Sequence, residues 1–387
     1  MSSAPPARPA IPAERFAQRL ERAAAATADA GLDALLIGVG SDLRYLTGYE
    51  AMPLERLTLL VLVAADKPFI VVPRLERGAA ESGLRTRIEI RTWEEADDPY
   101  AMVAETLDAR RKPSLRIGLS DTMIAMHVLR LQDAIATKAT YETASTVLRD
   151  LRMIKDADEV ALLRLAAQAA DRVVGQIAAG RLVGRTEADV AREVRERLIA
   201  EGHDEAHFAI VGSGPNSASP HHEASERVIQ PGEPIVLDIG GTLGGYGSDI
   251  TRTLWVTGGD PAAGPDERFR HLFGVLHGAQ AAGTRAARPG TACADVDAAA
   301  RTRIEAEGYG EAFFHRTGHG IGLEGHEHPY LIAGNDLPLR PGMAFSVEPG
   351  IYLPGEYGAR IEDIVICGDD GPIALNEAPR ELYVVDG

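Results

Sequence analysis

The spacing of apolar positions divides the chain into two stretches of different texture. Up to about residue 150, short apolar runs alternate with helical spacing. A helix is predicted over residues 13 to 30, then strands at ALLIGV (34–39), LTLLVLVAA (57–65), FIVV (69–72) and RIGLS (116–120). Apolar strands interleaved with helices make a small α/β unit. From Leu148 the apolar spacing becomes three and four: Val160, Leu163, Ala167, Ala170, Val174 and Ile177 share one face behind Asp156 and Asp158, both able to cap a helix start. The boundary is placed near residue 152, giving domains 1–152 and 153–387.

The second stretch repeats itself. GRTEADVAREVRERLIAEGHDEAHFAIVGSG (184–214) matches GTACADVDAAARTRIEAEGYGEAFFHRTGHG (290–320) at a constant offset of 106, with Asp189/Asp295, Val190/Val296, Gly202/Gly308 and Gly212/Gly318 among the shared positions. The echo continues at an offset of 110, where PGEPIVLDIG ending at Gly240 parallels PGMAFSVEPG ending at Gly350, so that Asp238 faces Glu348 in register. A duplicated helix-then-strand pattern predicts two similar units related by a pseudo-twofold axis.

Acids mark the strands of both copies. In DIGGTLGGYGSDITRT (238–253), Asp238 and Asp249 sit on apolar strand signals joined by a glycine-rich turn, which reads as an antiparallel hairpin. The second copy carries Glu348 and then Glu362 in GARIEDIVI. If the acid-bearing strands converge on the axis, four carboxylates meet and repel one another. One or two divalent cations would neutralise them.

Composition limits the alternatives. A net charge of −17 without any Lys/Arg-rich run argues against nucleic-acid backbones and anionic membranes as partners. The two cysteines, Cys293 and Cys367, form no CxxC pattern, so neither a disulfide framework nor a zinc-thiolate site is expected, and a cytoplasmic setting fits. The N-terminal MSSAPPARPAIPAERF lacks an apolar core segment, and LLVLVAA from Leu59 is too short to span a bilayer, so neither secretion nor membrane insertion is expected. GGTLGG lacks the lysine and the strand-to-helix context of a phosphate loop.

Histidines supply the remaining chemistry. HRTGHGIGLEGHEHPY (315–330) places His315, His319, His326 and His328 in a glycine-rich stretch, and His221 and His222 lie upstream of the Asp238 strand. Imidazoles beside a carboxylate cluster suggest one ligand with supporting acid/base groups. His203, His207, His271 and His277 read as satisfied or solvated side chains, while His222 and His328 stay open between the two roles.

On these motifs nearly the whole chain resembles the pita-bread metallopeptidases, the family of methionine aminopeptidase, aminopeptidase P and prolidase, in the branch with a creatinase-like N-terminal domain. The resembling segments are HRTGHGIGLEGHE, SVEPGIY and ARIEDIV. The resemblance implies a creatinase-like α/β domain followed by a duplicated pita-bread domain. It also implies a dinuclear site held by Asp238, Asp249, His319, Glu348 and Glu362. It gives His221 and His326 to the scissile carbonyl or developing oxyanion, and His315 to the substrate side. Arg360, two residues before Glu362 and so expected on the same strand face, would orient the acidic ligands, and Thr251 would hydrogen-bond among them.

The implied reaction is hydrolysis of Xaa-Pro bonds in dipeptides or short peptides, with Glu348 carrying the proton to the leaving nitrogen. Four oxygen ligands and one imidazole favour two Mn(II) ions, with Co(II), Fe(II) or Zn(II) as alternatives. Aminopeptidase P is the rival, because some prolidases have a carboxylate-binding arginine four residues beyond the histidine matching His326, where this chain has Tyr330. A creatinase-like enzyme or a binding module would be expected to lack the five ligands. GSDLRYLTGYE (40–50) reads either as a strand-end loop or, by the resemblance, as a segment serving the active site of a homodimeric partner.

Overall fold

The computed structural model describes residues 8–64 and 66–387. The first seven residues of the proline-bearing stretch and Ala65, at the end of the LTLLVLVAA run, lie outside the described residues. Two compact units result: Ile11–Arg152, and Met153–Gly387 with residues 8–10.

The first unit is a six-stranded sheet of β1 (Ala34–Ile37), β2 (Leu59–Val63), β3 (Phe69–Pro73), β4 (Glu89–Trp93), β5 (Leu115–Leu119) and β6 (Ala139–Thr143), in the order β4-β3-β2-β1-β5-β6. Its helices are α1 (Ala13–Asp29), α2 (Ser41–Thr47), α3 (Arg77–Gly83), α4 (Pro99–Asp108), α5 (Ala125–Ala134) and α6 (Ser145–Met153). The four strands legible in the sequence are the four inner ones, where burial on both faces demands unbroken apolar runs. The two that lack such runs, EIRTW and ATYET, are the edges and stay half-exposed. GSDLRYLTGYE is neither strand end nor loop through its middle but the short helix α2, closed by Gly48 at φ 75°.

The second unit opens with α7 (Ala157–Ala178). Asp156 caps it, accepting from the amides of Asp158 and Glu159, while Glu159 returns a carboxylate to the Asp156 amide. Then follow α8 (Glu187–Ala200), β7 (Glu205–Ser213), β8 (Glu233–Leu243), β9 (Tyr246–Val256), α9 (Glu267–Ala286) and α10 (Cys293–Ala306). The remaining strands are β10 (Gly318–Gly320), β11 (Glu327–Leu331), β12 (Ala344–Val347), β13 (Gly350–Leu353), β14 (Tyr357–Arg360), β15 (Asp363–Gly368), β16 (Gly371–Ala374) and β17 (Tyr383–Val385). Among the described residues no helix is long and apolar enough to cross a membrane.

The internal repeat is structural. α8 and α10 are the same length at the offset of 106, and each sheet centres on its first acid-bearing strand: β8 lies between β7 and β9, β12 between β10 and β15. The copies differ at the hairpin that carries the acids. β8 and β9 pair without interruption from Glu233↔Val256 to Leu243↔Tyr246, around Gly244 and Gly245 at φ 61° and 85°, a turn that suits two glycines. In the second copy the ladder breaks. β12 stops before Glu348, Pro349 offers no N–H, and pairing resumes as the separate ribbon β13-β14. Glu362, left outside that ribbon, pairs across the repeat instead, its N–H donating to Thr251 O at 3.1 Å. Arg360 ends β14 and Glu362 stands in the gap before β15, so they do not belong to one strand, yet both side chains reach the Thr251 hydroxyl from the same side.

Candidate functional site

Four carboxylates and one imidazole converge where the two copies meet. Asp238 and Asp249 come from the β8-β9 hairpin, His319 from β10, Glu348 from just beyond β12, and Glu362 from the gap before β15. Ligand atoms of Asp249, His319 and Glu362 lie within 4.8 Å of one another. His319 Nε2 stands 3.1 Å from Glu348 Oε1 and 3.7 Å from Asp249 Oδ2. All five residues line one cavity of about 930 Å³, together with His221, His315, Arg316, His326 and Arg360.

Local sequence explains the placement of His319. The glycines on either side let neighbouring strands approach, since a Cβ at Gly318 would sit 1.9 Å from Ser346 O and one at Gly320 2.1 Å from His328 O. Ser346 Oγ accepts from the His319 N–H at 3.0 Å and donates to Glu348 Oε1 at 3.0 Å, so one hydroxyl sets both groups. Because Gly320 O can only accept, His319 Nδ1 is the donor in their 3.1 Å contact, which leaves Nε2 facing the carboxylates.

Charge balance tests whether this set suits cations. Burial, and then the charge of Asp238, push Asp249 well above the usual carboxylate range; burial, and then Asp249, do the same to Glu362. Asp238 is raised by burial against the opposing charge of Arg360. Glu348 is the exception: burial raises it, but the hydrogen bond from His319 prevails and holds it at about 2. Asp238 Oδ1 is buried with no hydrogen-bond partner. An orphaned buried acceptor among carboxylates that resist ionisation fits a donor set for divalent cations.

Arg360 is the organising cation. It donates to Asp238 Oδ2, to Thr251 Oγ1 at 3.0 Å and to the Tyr352 hydroxyl at 2.7 Å. Thr251 in turn donates to Glu362 Oε2 at 2.7 Å. The Tyr352 hydroxyl, accepting from Arg360, has its proton free for His315 Nε2 at 3.1 Å, while His315 Nδ1 donates to Arg316 O at 2.8 Å. Both nitrogens of His315 are thus engaged although its ring lines the cavity, and burial holds its pKa below the ordinary imidazole value.

His326 stacks on His319 with ring centroids 3.7 Å apart. Arg316 can only donate, so its 3.0 Å contact makes His326 Nδ1 the acceptor and puts the proton of the neutral ring on Nε2. Burial, and then the cations His319 and Arg316, lower its pKa to about 4. His221 is exposed at the cavity edge.

Thr251 and Tyr330 are not among the cavity-lining residues. The Tyr330 ring instead lies under Arg316, whose guanidinium carbon is 4.4 Å from its centroid. Sequence reasoning passed over Arg316 and Tyr352. Both stood inside the quoted HRTGHG and SVEPGIY motifs, but their partners lie 14 and 37 residues away in sequence, at Tyr330 and His315. His203 is buried and bonded to Ser248 Oγ at 2.8 Å, a satisfied core histidine.

Comparison with known proteins gives the same picture from outside. Residues 161–369 match the model of metallopeptidase family M24, and residues 19–154 that of the creatinase/prolidase N-terminal domain. The chain is 48% identical over 376 residues to the probable dipeptidase PepE of Mycobacterium tuberculosis, covering 96% of this chain and 97% of that one. It is 33% identical to the Xaa-Pro dipeptidase of Lactobacillus delbrueckii subsp. lactis, over 92% of this chain and 95% of the other. The crystal structure of dipeptidase PepE from Mycobacterium ulcerans superposes with a TM-score of 0.89 at 47% identity, covering 98% of this chain and all of that one.

Proposed function

The chain belongs to metallopeptidase family M24, and from that premise we propose that it is an Xaa-Pro dipeptidase acting at a two-metal centre. The observation that carries this reading is the convergence of Asp249, His319 and Glu362, with the orphaned oxygen of Asp238 and the Glu348 carboxylate, on a cavity edged by His221 and His326. Asp238, Asp249, His319, Glu348 and Glu362 would hold the ions. Four oxygen-donor residues and one imidazole favour Mn(II). When bound, such ions supply the Lewis acidity that polarises a peptide carbonyl and lowers the pKa of water.

The protein's own groups do the rest. His326, neutral at pH 7 with its proton on Nε2, donates to the scissile carbonyl oxygen as charge develops there, and His221 donates from the opposite chain segment. Glu348, ionised at neutral pH, accepts a proton from the attacking water and passes it to the proline nitrogen as the C–N bond breaks. Arg360 holds Asp238 and, through Thr251, Glu362 in ligand geometry. Tyr330 offers no positive charge for a dipeptide's terminal carboxylate. Arg316, braced on the Tyr330 ring and lining the cavity, supplies that cation.

The same reading makes the enzyme a cytoplasmic homodimer: the buried thiols are unpaired, and segment 40–50 resembles one that serves a partner's site. The deciding assay offers metal-stripped protein, with and without Mn(II), an Xaa-Pro dipeptide beside an Xaa-Pro-Xaa tripeptide. Mn(II)-dependent cleavage of the dipeptide is expected. Preference for the tripeptide would transfer the assignment to aminopeptidase P, and no cleavage of either would remove the peptidase reading.

A further inference from the structure

His221 forms no hydrogen bond through its ring among the described residues, so its place depends on its chain neighbours, and both are tied down. On one side, Pro220 O accepts from Arg360 Nη2 at 3.3 Å. On the other, His222 Nε2 donates to Glu187 Oε2 at 2.7 Å. Glu187 opens α8, has no exposed surface and is not among the cavity-lining residues.

The bonds to Glu187 gather the whole segment that carries His221. Oε1 accepts from the amide and hydroxyl of Ser213 at 2.8 and 2.7 Å and from Asn216 Nδ2 at 3.1 Å. Oε2 accepts from the amide and hydroxyl of Ser225 at 3.1 and 2.6 Å as well as from His222. A carboxylate offers about four lone-pair sites, and here donors fill both oxygens. Burying a charge so completely is costly unless every such site is satisfied, and a plain packing role would be met by an apolar residue. Burial raises the Glu187 pKa, yet Ser225, Ser213 and His222 outweigh it and hold the group at about 2, so it stays ionised.

We propose that Glu187 is the positioning residue of His221, fixing residues 213 to 225 so that the imidazole meets the scissile carbonyl. The second copy of the repeat uses a comparable device. Asp297 on α10 accepts from the amide and hydroxyl of Thr317 at 3.0 and 2.7 Å, two residues before His319. It also binds Arg301, which donates to His315 O at 2.7 Å. In each copy a buried helix carboxylate holds the histidine-bearing segment. The inference rests on the role given to His221 under the proposed function.

The test is a double-mutant cycle on the Mn(II)-loaded enzyme with a Leu-Pro dipeptide, using Glu187→Gln, His221→Ala and the pair. Glu187→Gln is expected to lower kcat tenfold to a hundredfold with KM within threefold and Mn(II) stoichiometry unchanged. In the His221→Ala background the same substitution is expected to change kcat by less than twofold. Equal losses in both backgrounds, or a Glu187→Gln kcat within twofold of wild type, would overturn the positioning role alone. A His221→Ala enzyme with wild-type kcat would overturn the reading of His221 and the anchor with it. Should Glu187→Gln fail to fold, His222 replaces it. His222→Ala is expected to lose tenfold in kcat and His222→Gln, which keeps an N–H donor, to recover to within threefold; equal behaviour of the two would overturn the proposal.

Discussion

At the scale of single residues the dominant fact is how unevenly buried carboxylates are compensated. Glu187 has a donor for every lone pair, whereas Asp249 and Glu362 are buried among other carboxylates, Asp238 acting most on Asp249 and Asp249 most on Glu362. The two cases give opposite pH responses. The folded pKa of Glu187, at about 2, lies below its ordinary 4.5, so its stabilisation is present above pH 4.5 and is lost as pH falls toward 2. That depression corresponds to about 3 kcal/mol. Chemical denaturation between pH 7 and pH 3 should show wild type losing more stability than Glu187→Gln, by about 2 kcal/mol, the share already lost one unit above the folded pKa. Asp249 and Glu362 are raised instead, so in the metal-free protein they favour folding below the ordinary carboxylate pKa and lose that contribution as pH rises. A divalent ion must displace their protons. Calorimetry of Mn(II) binding near pH 6 in buffers of different ionisation enthalpy should therefore report proton release, and binding should tighten with pH.

At the scale of elements, strand spacing decides where His319 points. Gly318→Ala would place a methyl 1.9 Å from Ser346 O, forcing β10 away from β12 and taking the His319 amide off Ser346 Oγ. Mn(II) affinity measured by titration calorimetry should fall at least tenfold; unchanged affinity would show that the glycine spacing does not set the ligand. Elements were legible in the sequence where periodicity is strong. The inner strands of the first unit, α7 with its Asp156 cap, and the β8-β9 hairpin all carry their own pattern. The edge strands β4 and β6 were not legible, because half-exposed edges tolerate polar residues. The break at Pro349 escaped too: a proline between a glutamate and a glycine reads as a turn or as an edge, and only the tertiary pairing of Glu362 with Thr251 shows a ladder dividing. In the same way the four acidic positions stood out by repetition and His319 by its histidine-rich motif, while Tyr352, Arg316 and Glu187 act through partners distant in sequence.

At the scale of the whole catalytic unit a second buried guanidinium, besides Arg360, joins the two copies. Arg252, fully buried on β9, donates to Thr251 O, Glu362 O and Asp363 Oδ1 at 2.9, 2.6 and 2.7 Å, and to Ala378 O and Pro379 O at 2.8 and 2.7 Å. Arg252→Met would leave three carbonyls and part of a buried carboxylate without donors, although Arg380 still reaches Asp363. A loss of about 3–5 kcal/mol in urea denaturation is expected, with Mn(II) restoring part of it by mass action. A loss under 1 kcal/mol would show that the copies hold together without this residue.

The parallel pairing of β17 with β9, Tyr383↔Leu254 through Val385↔Val256, also bears on the order of events during synthesis. A ribosome delivers Asp238 and Asp249 more than a hundred residues before Glu362, and the strand that flanks β9 comes later still. A half-made chain therefore offers passing metal ions only an incomplete set of ligands. Loading becomes a late step, possible in full only after the last ligand and the strand that flanks β9 have been made.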